Sequence, residues 1–514
     1  MADYLLGLDA GTTSVKAAVF DSKGSCLAIE RQEYQLETPA AEQAELDAEV
    51  YWRAGVYAIK AAVESAGVRP YQVRAITISS QGETTIPVQA NGTPLRRAIV
   101  WLDNRAQSQA QWLKSCFDPQ HLYEITGVPD ITPTWTACKI LWIRQNEPEI
   151  FEKTYKFLLV KDYLVFRLTG EFVTDGAVAC TSLLYDIRTH QWWSEMLSTI
   201  GLEADRLPMI MPPGSTIGRL SKNAAEILGM DRETIVVNGG MDQAAGAVGA
   251  GSISTNVASE TTGAAMVIQV TTLDPSMPSN YKLPVCVHNI PGLYLYEPML
   301  PTGGMALKWF RDHFAEGEVQ MAIQSGRDSY DILCELADSI PPGSDGLVML
   351  PYLMGAYSPQ ENSAARGVFS GFTLSHGKAH FIRAILEGVA FDLRQNLDAM
   401  RDAGIQLTEI RTSGGGAHSP LWNQIKADVC RVPVVTLLCE ETALLGNAIL
   451  ASVACGIYRS ISEACGQMVV IKSRIFPGEH SAEYQRYYQR FFELYRSLEP
   501  YFRSTYSAKE GDRI

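Results

Sequence analysis

Apolar residues flank the first polar loop of the chain, Tyr4–Leu8 before it and Val15–Phe20 after it. Both runs are short, and the second holds β-branched and aromatic residues, so a strand–loop–strand hairpin is expected. Cys26–Arg31 reads as a third strand after the turn Asp21-Ser22-Lys23-Gly24. A helical period then starts behind Asp47, an N-cap residue type, and runs to about Ser65, with Gly67 as its stop. Val73–Ser79 reads as a buried strand, Ala98–Leu102 as a strand ending at Asp103, and Ile235–Asn238 as another. Between positions 106 and 230 the pattern is mostly helical, and aromatic stretches such as Trp192-Trp193 are assigned to the core.

The second half begins as the first does. Asn256–Ser259 and Ala264–Val270 read as strands around a turn at Thr261-Thr262-Gly263, a weak internal repeat. Helices are expected at Gly304–Phe314, Ala379–Ala403 and Ala443–Tyr458, with an amphipathic, aromatic-rich helix at Ala482–Phe502. Strand Glu409–Ser413 runs into Gly414-Gly415-Gly416-Ala417-His418-Ser419, and Val434–Leu437 is a further strand. Strands alternating with helices predict an α/β protein. At 514 residues the chain exceeds what one core usually supports. Two domains, 1–250 and 251–514, are therefore expected, with the boundary within Gly249–Ser254.

Composition narrows the class. Hydrophobic residues make up 46% and charged residues 19%, which fits a globular chain. The net charge of -14 disfavours non-specific nucleic-acid binding. Ten cysteines are scattered without a Cys-x-x-Cys pair, so reduced and mostly buried thiols are expected. His376 and His380 lack a third metal ligand nearby. The uncharged run Thr442–Tyr458 contains Asn447 and many small residues, so a buried helix is expected and no membrane span. The start of the chain does not read as a signal peptide, and a cytoplasmic location is expected.

Three stretches carry candidate chemistry. In Asp9-Ala10-Gly11-Thr12-Thr13-Ser14, successive amides and hydroxyls can surround phosphate oxygens. A carboxylate beside such a nest makes sense with a cation such as Mg²⁺ between them. An ordinary polar turn is the competing reading. Asp242 follows Gly239-Gly240 and precedes a helix of small residues, where it serves either chemistry or helix capping. Gly414–Gly416 suits a flat ligand lying against backbone, or a flexible turn. The glycines from Gly246 to Gly251 lack the order of a dinucleotide fingerprint, and no P-loop or protein-kinase signature occurs.

Together these stretches resemble the FGGY family of carbohydrate kinases, within the actin-like ATPase superfamily, from Leu6 to about Tyr458. The resemblance is carried by Gly7-Leu8-Asp9-Ala10-Gly11-Thr12-Thr13, Gly240-Met241-Asp242-Gln243-Ala244-Ala245, Leu350-Pro351-Tyr352-Leu353 with Ala365-Arg366-Gly367-Val368-Phe369, and Ser413-Gly414-Gly415-Gly416. It implies two actin-like (ribonuclease H-like) α/β domains with a central ligand cleft. Sugar would sit on the N-terminal domain and ATP mainly on the C-terminal one. Asp9 would coordinate Mg²⁺, directly or through water. Thr12 and Thr13 would contact the nucleotide phosphates, and Asp242 would take the proton of the sugar hydroxyl. Thr261, Thr262 and Gly263 would form a second phosphate loop. Gly415, Gly416 and Ser419 would lie beside the adenosine, with Asn447 on the neighbouring helix. Gln81, Glu83, Trp101 and Asp103 are the expected sugar contacts.

Two departures stand out. Glu260 replaces the first glycine of the second phosphate loop. Gln81-Gly82-Glu83-Thr84-Thr85 resembles the glycerol-kinase stretch, with Gly82 in place of its arginine, while xylulokinases have Met-His where this chain has Gly82-Glu83. The chain looks closest to the xylulokinase-like group, so a ketopentose such as xylulose is the expected substrate. Glycerol, another polyol and a linear signalling dione are the alternatives. A sugar-sensing protein that kept the fold and lost the chemistry, and an actin-like filament ATPase, are the rivals outside sugar kinases. A homodimer is entertained, with no sequence feature that decides the oligomeric state.

Overall fold

The structure, a computed structural model, describes residues 3–276, 283–359 and 361–506. The opening hairpin forms as its pattern dictates. β1 (Tyr4–Ala10) pairs antiparallel with β2 (Ser14–Phe20), Asp9 lying opposite Lys16, and β3 (Cys26–Glu33) pairs with β2. The loop between them does not demand glycine: a Cβ on Gly11 would meet nothing nearer than Ser14 O at 3.5 Å. Asp47 caps α1 (Ala48–Ser65), accepting the Glu49 N–H at 3.0 Å. β4 (Val73–Ser80) runs parallel to β1. It is buried along nearly its whole length, as strands covered on both faces are.

The segment from 106 to 230 is less helical than its pattern suggests. Helices such as α2 (Thr136–Asn146) and α3 (Val160–Thr169) alternate with short strands at Lys156–Leu158, Val173–Thr174, Tyr185–Asp186 and Gln191–Trp192. Lys156–Leu158 and Val173–Thr174 pair with partners distant in sequence, which local periodicity does not report, while the other two pair with each other. The expected strand Ala98–Leu102 shrinks to Ala98–Ile99. β5 (Thr216–Arg219), β6 (Ile235–Met241) and α4 (Asp242–Gly249) complete the first half. Its sheet has the order β5-β6-β4-β1-β2-β3.

The second half repeats this plan. β7 (Val257–Thr262), β8 (Met266–Thr272), β9 (Val285–Val287) and β10 (Tyr294–Tyr296) form an antiparallel set. α5 (Gly303–Phe314) and the long α6 (Lys378–Asp402) follow. Then come β11 (Glu409–Ser413), α7 (Pro420–Cys430), β12 (Val434–Leu437), α8 (Thr442–Ala454), α9 (Ile461–Met468), β13 (Ile471–Ile475) and α10 (Ser481–Tyr506). The strand order is β9-β10-β8-β7-β11-β12-β13, with Met299–Leu300 also pairing with β8. In both sheets an antiparallel hairpin is extended by two parallel strands, β4 and β6 in one, β11 and β12 in the other. Thr261 and Thr262, expected in a turn, are the last residues of β7.

The uncharged α8 lies between the halves. Leu444, Leu445, Ala448 and Ile449 join Leu5, Phe20, Ala75 and Val237 of the first sheet in one core. Its approach to α4 is close enough that a Cβ on Gly446 would stand 1.9 Å from Ala245 O, and one on Gly249 1.8 Å from Thr442 O. α10 buries Tyr484, Tyr487, Phe491 and Phe502 in the core of the second half. All ten cysteines are free, and Cys26 and Cys116 are exposed where burial was the general expectation. Among the described residues no helix is long and apolar enough to cross a membrane.

Candidate active site

β1, β4 and β6 end side by side at one edge of the first sheet. Ser79 of β4 is the register partner of Asp9 on one side and of Gly240 on the other. With strands ~5 Å apart, the backbones carrying Asp9 and the start of α4 stand about 10 Å apart across β4. Gly240 has φ 120°, and a Cβ there would meet Asn289 Oδ1 at 2.0 Å, so this position requires glycine. β6 can therefore turn sharply into α4, whose first residue is Asp242.

Asp9 accepts the Ser79 hydroxyl at 2.6 Å. Burial pushes its carboxyl up to about 6, against the lowering effects of that bond and of Lys16. Asp242 accepts the Gln243 N–H at 2.7 Å, and no side-chain cap bond closes α4. Its pKa is raised well above the ordinary range by burial, and further by the carboxylates of Asp9, Glu297 and Glu83. Met241 holds the N-cap position, so Asp242 is the first helical residue and not the cap, although its carboxyl bonds the second amide of the helix.

The sugar-side residues divide into two kinds. Thr12 Oγ1 donates to Gln81 Oε1 and accepts from Trp101 Nε1, both at 2.9 Å, and Gln81 Nε2 donates to Tyr51 Oη at 3.0 Å. The structure brings these three residues together, with Gln81 and Thr12 engaged in holding each other. Thr13 is the exposed hydroxyl of the loop. Asp103 goes elsewhere. It is fully buried, binds Arg105 through both oxygens and accepts the Ala44 N–H at 2.7 Å, so it fixes backbone and cannot contact a sugar directly. Glu83 sits with φ 54°, a backbone region that non-glycine residues rarely adopt. Its N–H donates to Thr181 Oγ1 at 3.2 Å, and its carbonyl accepts from Thr136 Oγ1 and Lys139 Nζ, each at 3.1 Å. This over-determined backbone fixes the base of the side chain, and burial pushes its carboxyl up to about 7.

On the facing half, Thr261 Oγ1 lies 2.9 Å from Ser413 Oγ. Gly263, Gly304, Gly414 and Gly416 crowd the end of β7: Cβ atoms on Gly304 and Gly416 would stand 2.2 Å from Gly263 O and 2.6 Å from Thr262 Cβ. Gly415 is open and exposed. Ser419 caps α7, accepting the Trp422 N–H at 3.2 Å. Thr262 is buried and bonded to Glu260 and Lys426, which takes its hydroxyl out of the loop. Glu260 points inward, 2.8 Å from Lys426 Nζ and 2.6 Å from Thr412 Oγ1, so its side chain does not obstruct the turn. Asn447 is also inward. Its amide donates to Leu8 O at 3.0 Å and to Ser79 Oγ at 2.8 Å, on the first half rather than beside the nucleotide turn.

Comparison decides the family. Residues 4–249 match the N-terminal domain, and 256–455 the C-terminal domain, of the FGGY family of carbohydrate kinases. The chain belongs to this family. It is a carbohydrate kinase, a phosphotransferase with an alcohol acceptor that uses ATP. It is 31% identical over 501 residues to a gluconokinase of Bacillus licheniformis, with 97% of each chain covered. It is 30% identical over 495 residues to a xylulose kinase of Bacillus subtilis, with 96% of each covered. The crystal structure of gluconate kinase from Lactobacillus acidophilus superposes with a TM-score of 0.89 at 27% identity, covering 99% of this chain and 100% of that one.

Sequence reading missed Glu297, Lys139, Thr181 and Asn289. Glu297 follows the apolar strand Tyr294-Leu295-Tyr296, and a carboxylate ending such a strand was the available signal. The others act through tertiary contacts that leave no local mark.

Proposed function

We propose that this kinase transfers the γ-phosphoryl group of ATP to a hydroxyl of a small sugar or polyol, with a ketopentose such as xylulose as the first choice. The observation that carries the reading is the pair Asp9 and Asp242 on either side of the end of β4, at the ends of the parallel strands of the first sheet. Residues 1–250 hold the acceptor and 251–514 most of the nucleotide.

Phosphoryl transfer needs alignment and charge cover more than covalent help from protein. Asp242 takes the proton of the attacking hydroxyl, a role that its raised pKa suits. Trp101 covers an apolar face of the acceptor, and Glu83 accepts one of its hydroxyls. Thr13, Gly263 and Gly415 line the phosphate and adenosine side. The donor set also fits Mg²⁺. Asp9 is a hard oxygen ligand whose charge burial disfavours despite Lys16 opposite it, and Asp9 would hold the ion that neutralises phosphate charge. Ten free thiols and dependence on ATP support a cytoplasmic location.

The test is a coupled ADP-release screen across ketopentoses, hexuloses, polyols and aldonates. A ketopentose should give the highest kcat/KM. ADP release with none of them would reject the kinase reading in favour of a sugar sensor, and a polyol ranking first would replace the ketopentose.

A further inference from the structure

Lys161, the second residue of α3, is fully buried. An ammonium has three N–H groups, and three acceptors surround this one: Asn238 Oδ1 at 2.9 Å, Asp175 Oδ2 at 3.0 Å and Asp162 Oδ1 at 3.2 Å. The Lys161 backbone N–H donates to Ser80 Oγ at 3.1 Å, and that hydroxyl donates to Gln81 O at 2.7 Å. One residue thus ties together the end of β4, β6 and the segment at Asp175.

All three segments run on into the candidate site. Asn238 of β6 lies opposite Ile78 and Gly240 opposite Ser79, so Gly239 is an extra residue, a β-bulge. A Cβ on Gly239 would stand 1.9 Å from Ile78 O. Bulges re-aim the chain that follows them, and here α4 follows, with Asp242 first. Asn238 is clamped just before the bulge: besides accepting from Lys161, its side chain donates to Met211 O at 3.0 Å and to Thr174 O at 3.2 Å. Asp175 caps the short helix Gly176–Ala179, accepting the Val178 N–H at 3.0 Å. Ala177 of that helix packs with Ala244 and Ala247 of α4, and Thr181 beyond it accepts the Glu83 N–H at 3.2 Å. Ser80 stands in register between Ala10 of β1 and Met241 of β6, the neighbours of Asp9 and Asp242. Stability alone is a weak reason for such a cluster, since apolar residues of the same shape often replace a buried ion group without loss. A point that fixes three segments in one geometry suits phosphoryl transfer, which works by alignment.

We propose that Lys161 is a positioning residue for phosphoryl transfer, which holds the bulge of β6 against the end of β4 and so sets Asp242 at the acceptor hydroxyl. This rests on the reading of Asp242 as the base. Lys161 itself is shielded from any ligand, so it acts through the residues that it holds. Cutting the link at either end, at Lys161 or at Asn238, should have the same consequence.

The experiment compares the full-length wild type with Lys161→Met, Asn238→Ala, the double variant and Asp242→Asn. Denaturant melts give the fraction folded, ADP release with the best acceptor of the screen above gives kcat and both KM values, and crystal structures give the place of Gly239 and Asp242. Lys161→Met and Asn238→Ala should each lower kcat per folded molecule about tenfold or more, since ~1 Å of misplacement can cost about 10²-fold, and leave the KM for ATP unchanged. The double variant should lose no more than the worse single one, because both cut one link. The bulge at Gly239 should be displaced in the crystal structures of both single variants. Normal kcat per folded molecule in Lys161→Met beside a slow Asp242→Asn, or additive losses in the double variant, overturns the proposal. Normal kcat in Asp242→Asn, or ADP release with no acceptor, rejects the reading of Asp242 by itself. The crystal structure of Lys161→Met then decides: a displaced bulge supports the hold of Lys161 on β6, and an unmoved one rejects it. Should Lys161→Met not fold, Asn238→Ala carries the test: a fall in kcat with the KM for ATP unchanged supports the proposal, and normal kcat overturns it.

Discussion

At the scale of single residues, Asp242 has a free-energy problem that chemistry explains and structure does not. Its charge is disfavoured by burial and by three carboxylates, and its one protein hydrogen bond is to the next amide. A residue selected for stability would not stay in that place; a general base gains from it. Asp242→Asn keeps the shape and removes proton acceptance. It should lower kcat by roughly 10²–10⁴-fold while acceptor and ATP binding, read by calorimetry, change little. A folded Asn variant with near-normal kcat would return Asp242 to a structural role. The pH dependence has a definite sign. Glu83 and Glu297 have folded-state values of about 7 and about 8, both raised. Their stability contribution is therefore complete below the ordinary carboxyl range, near pH 4.5, and is lost as pH rises through about 7–8. Wild type without ligands should melt at a lower temperature at pH 8.5 than at pH 5.5, and Glu297→Gln should flatten that slope. A slope unchanged in the variant would mean that Glu297 titrates normally.

At the scale of elements, β7 is pinned to α7 and β11 by one buried cluster. Lys426 and Glu260 are both fully buried and 2.8 Å apart, and Thr262 and Thr412 supply further bonds. Breaking one partner of a buried pair leaves the other charge without compensation, typically at a cost of about 3–5 kcal/mol. Glu260→Gly, which recreates the residue usual in the family, should therefore destabilise this chain by that order in denaturant melts. Glu260→Gly with Lys426→Met should recover most of the loss. Failure of the double variant to recover would show that the hydrogen bonds, and not the charge pair, hold β7. The same elements show what local sequence carries. The hairpin of β1 and β2, α1, β11 and β12 were readable because apolar runs, caps and glycine stops lie within each element. Asp9 and Asp242 were readable for a related reason, as carboxylates at strand ends beside small residues. Asn447 was not, because α8 comes late in the chain yet packs on the first sheet.

At the scale of the whole molecule, the two halves meet along the α4–α8 contact, and that contact leads to the reacting groups. α4 begins with Asp242. α8 carries Asn447, which holds Leu8 O and Ser79 Oγ, and Ser79 holds Asp9. Gln243 of α4 also accepts from Gln269 of β8 at 2.5 Å, tying the helix to the second sheet. Both carboxylates thus depend on a helix pair whose spacing is set by glycine. In Gly446→Ala the new Cβ would stand 1.9 Å from Ala245 O, a backbone atom that cannot rotate away, so the helices must part. Overpacking of this kind costs about 1–3 kcal/mol. If the contact served stability alone, the variant would melt earlier and every folded molecule would still turn over normally. If it positions Asp9 against Asp242, kcat per folded molecule should fall by about tenfold or more, because small misplacements of reacting groups are expensive. We expect the second result. Active-site titration with a tight nucleotide analogue, combined with denaturant melts, separates the fraction folded from the rate of each folded molecule. Small-angle scattering with acceptor and a non-hydrolysable ATP analogue adds the large-scale readout. Wild type should contract on binding both ligands, as domains closing to exclude water do, and Gly446→Ala should contract less. A variant that closes fully and turns over at the wild-type rate would reduce the α4–α8 contact to packing.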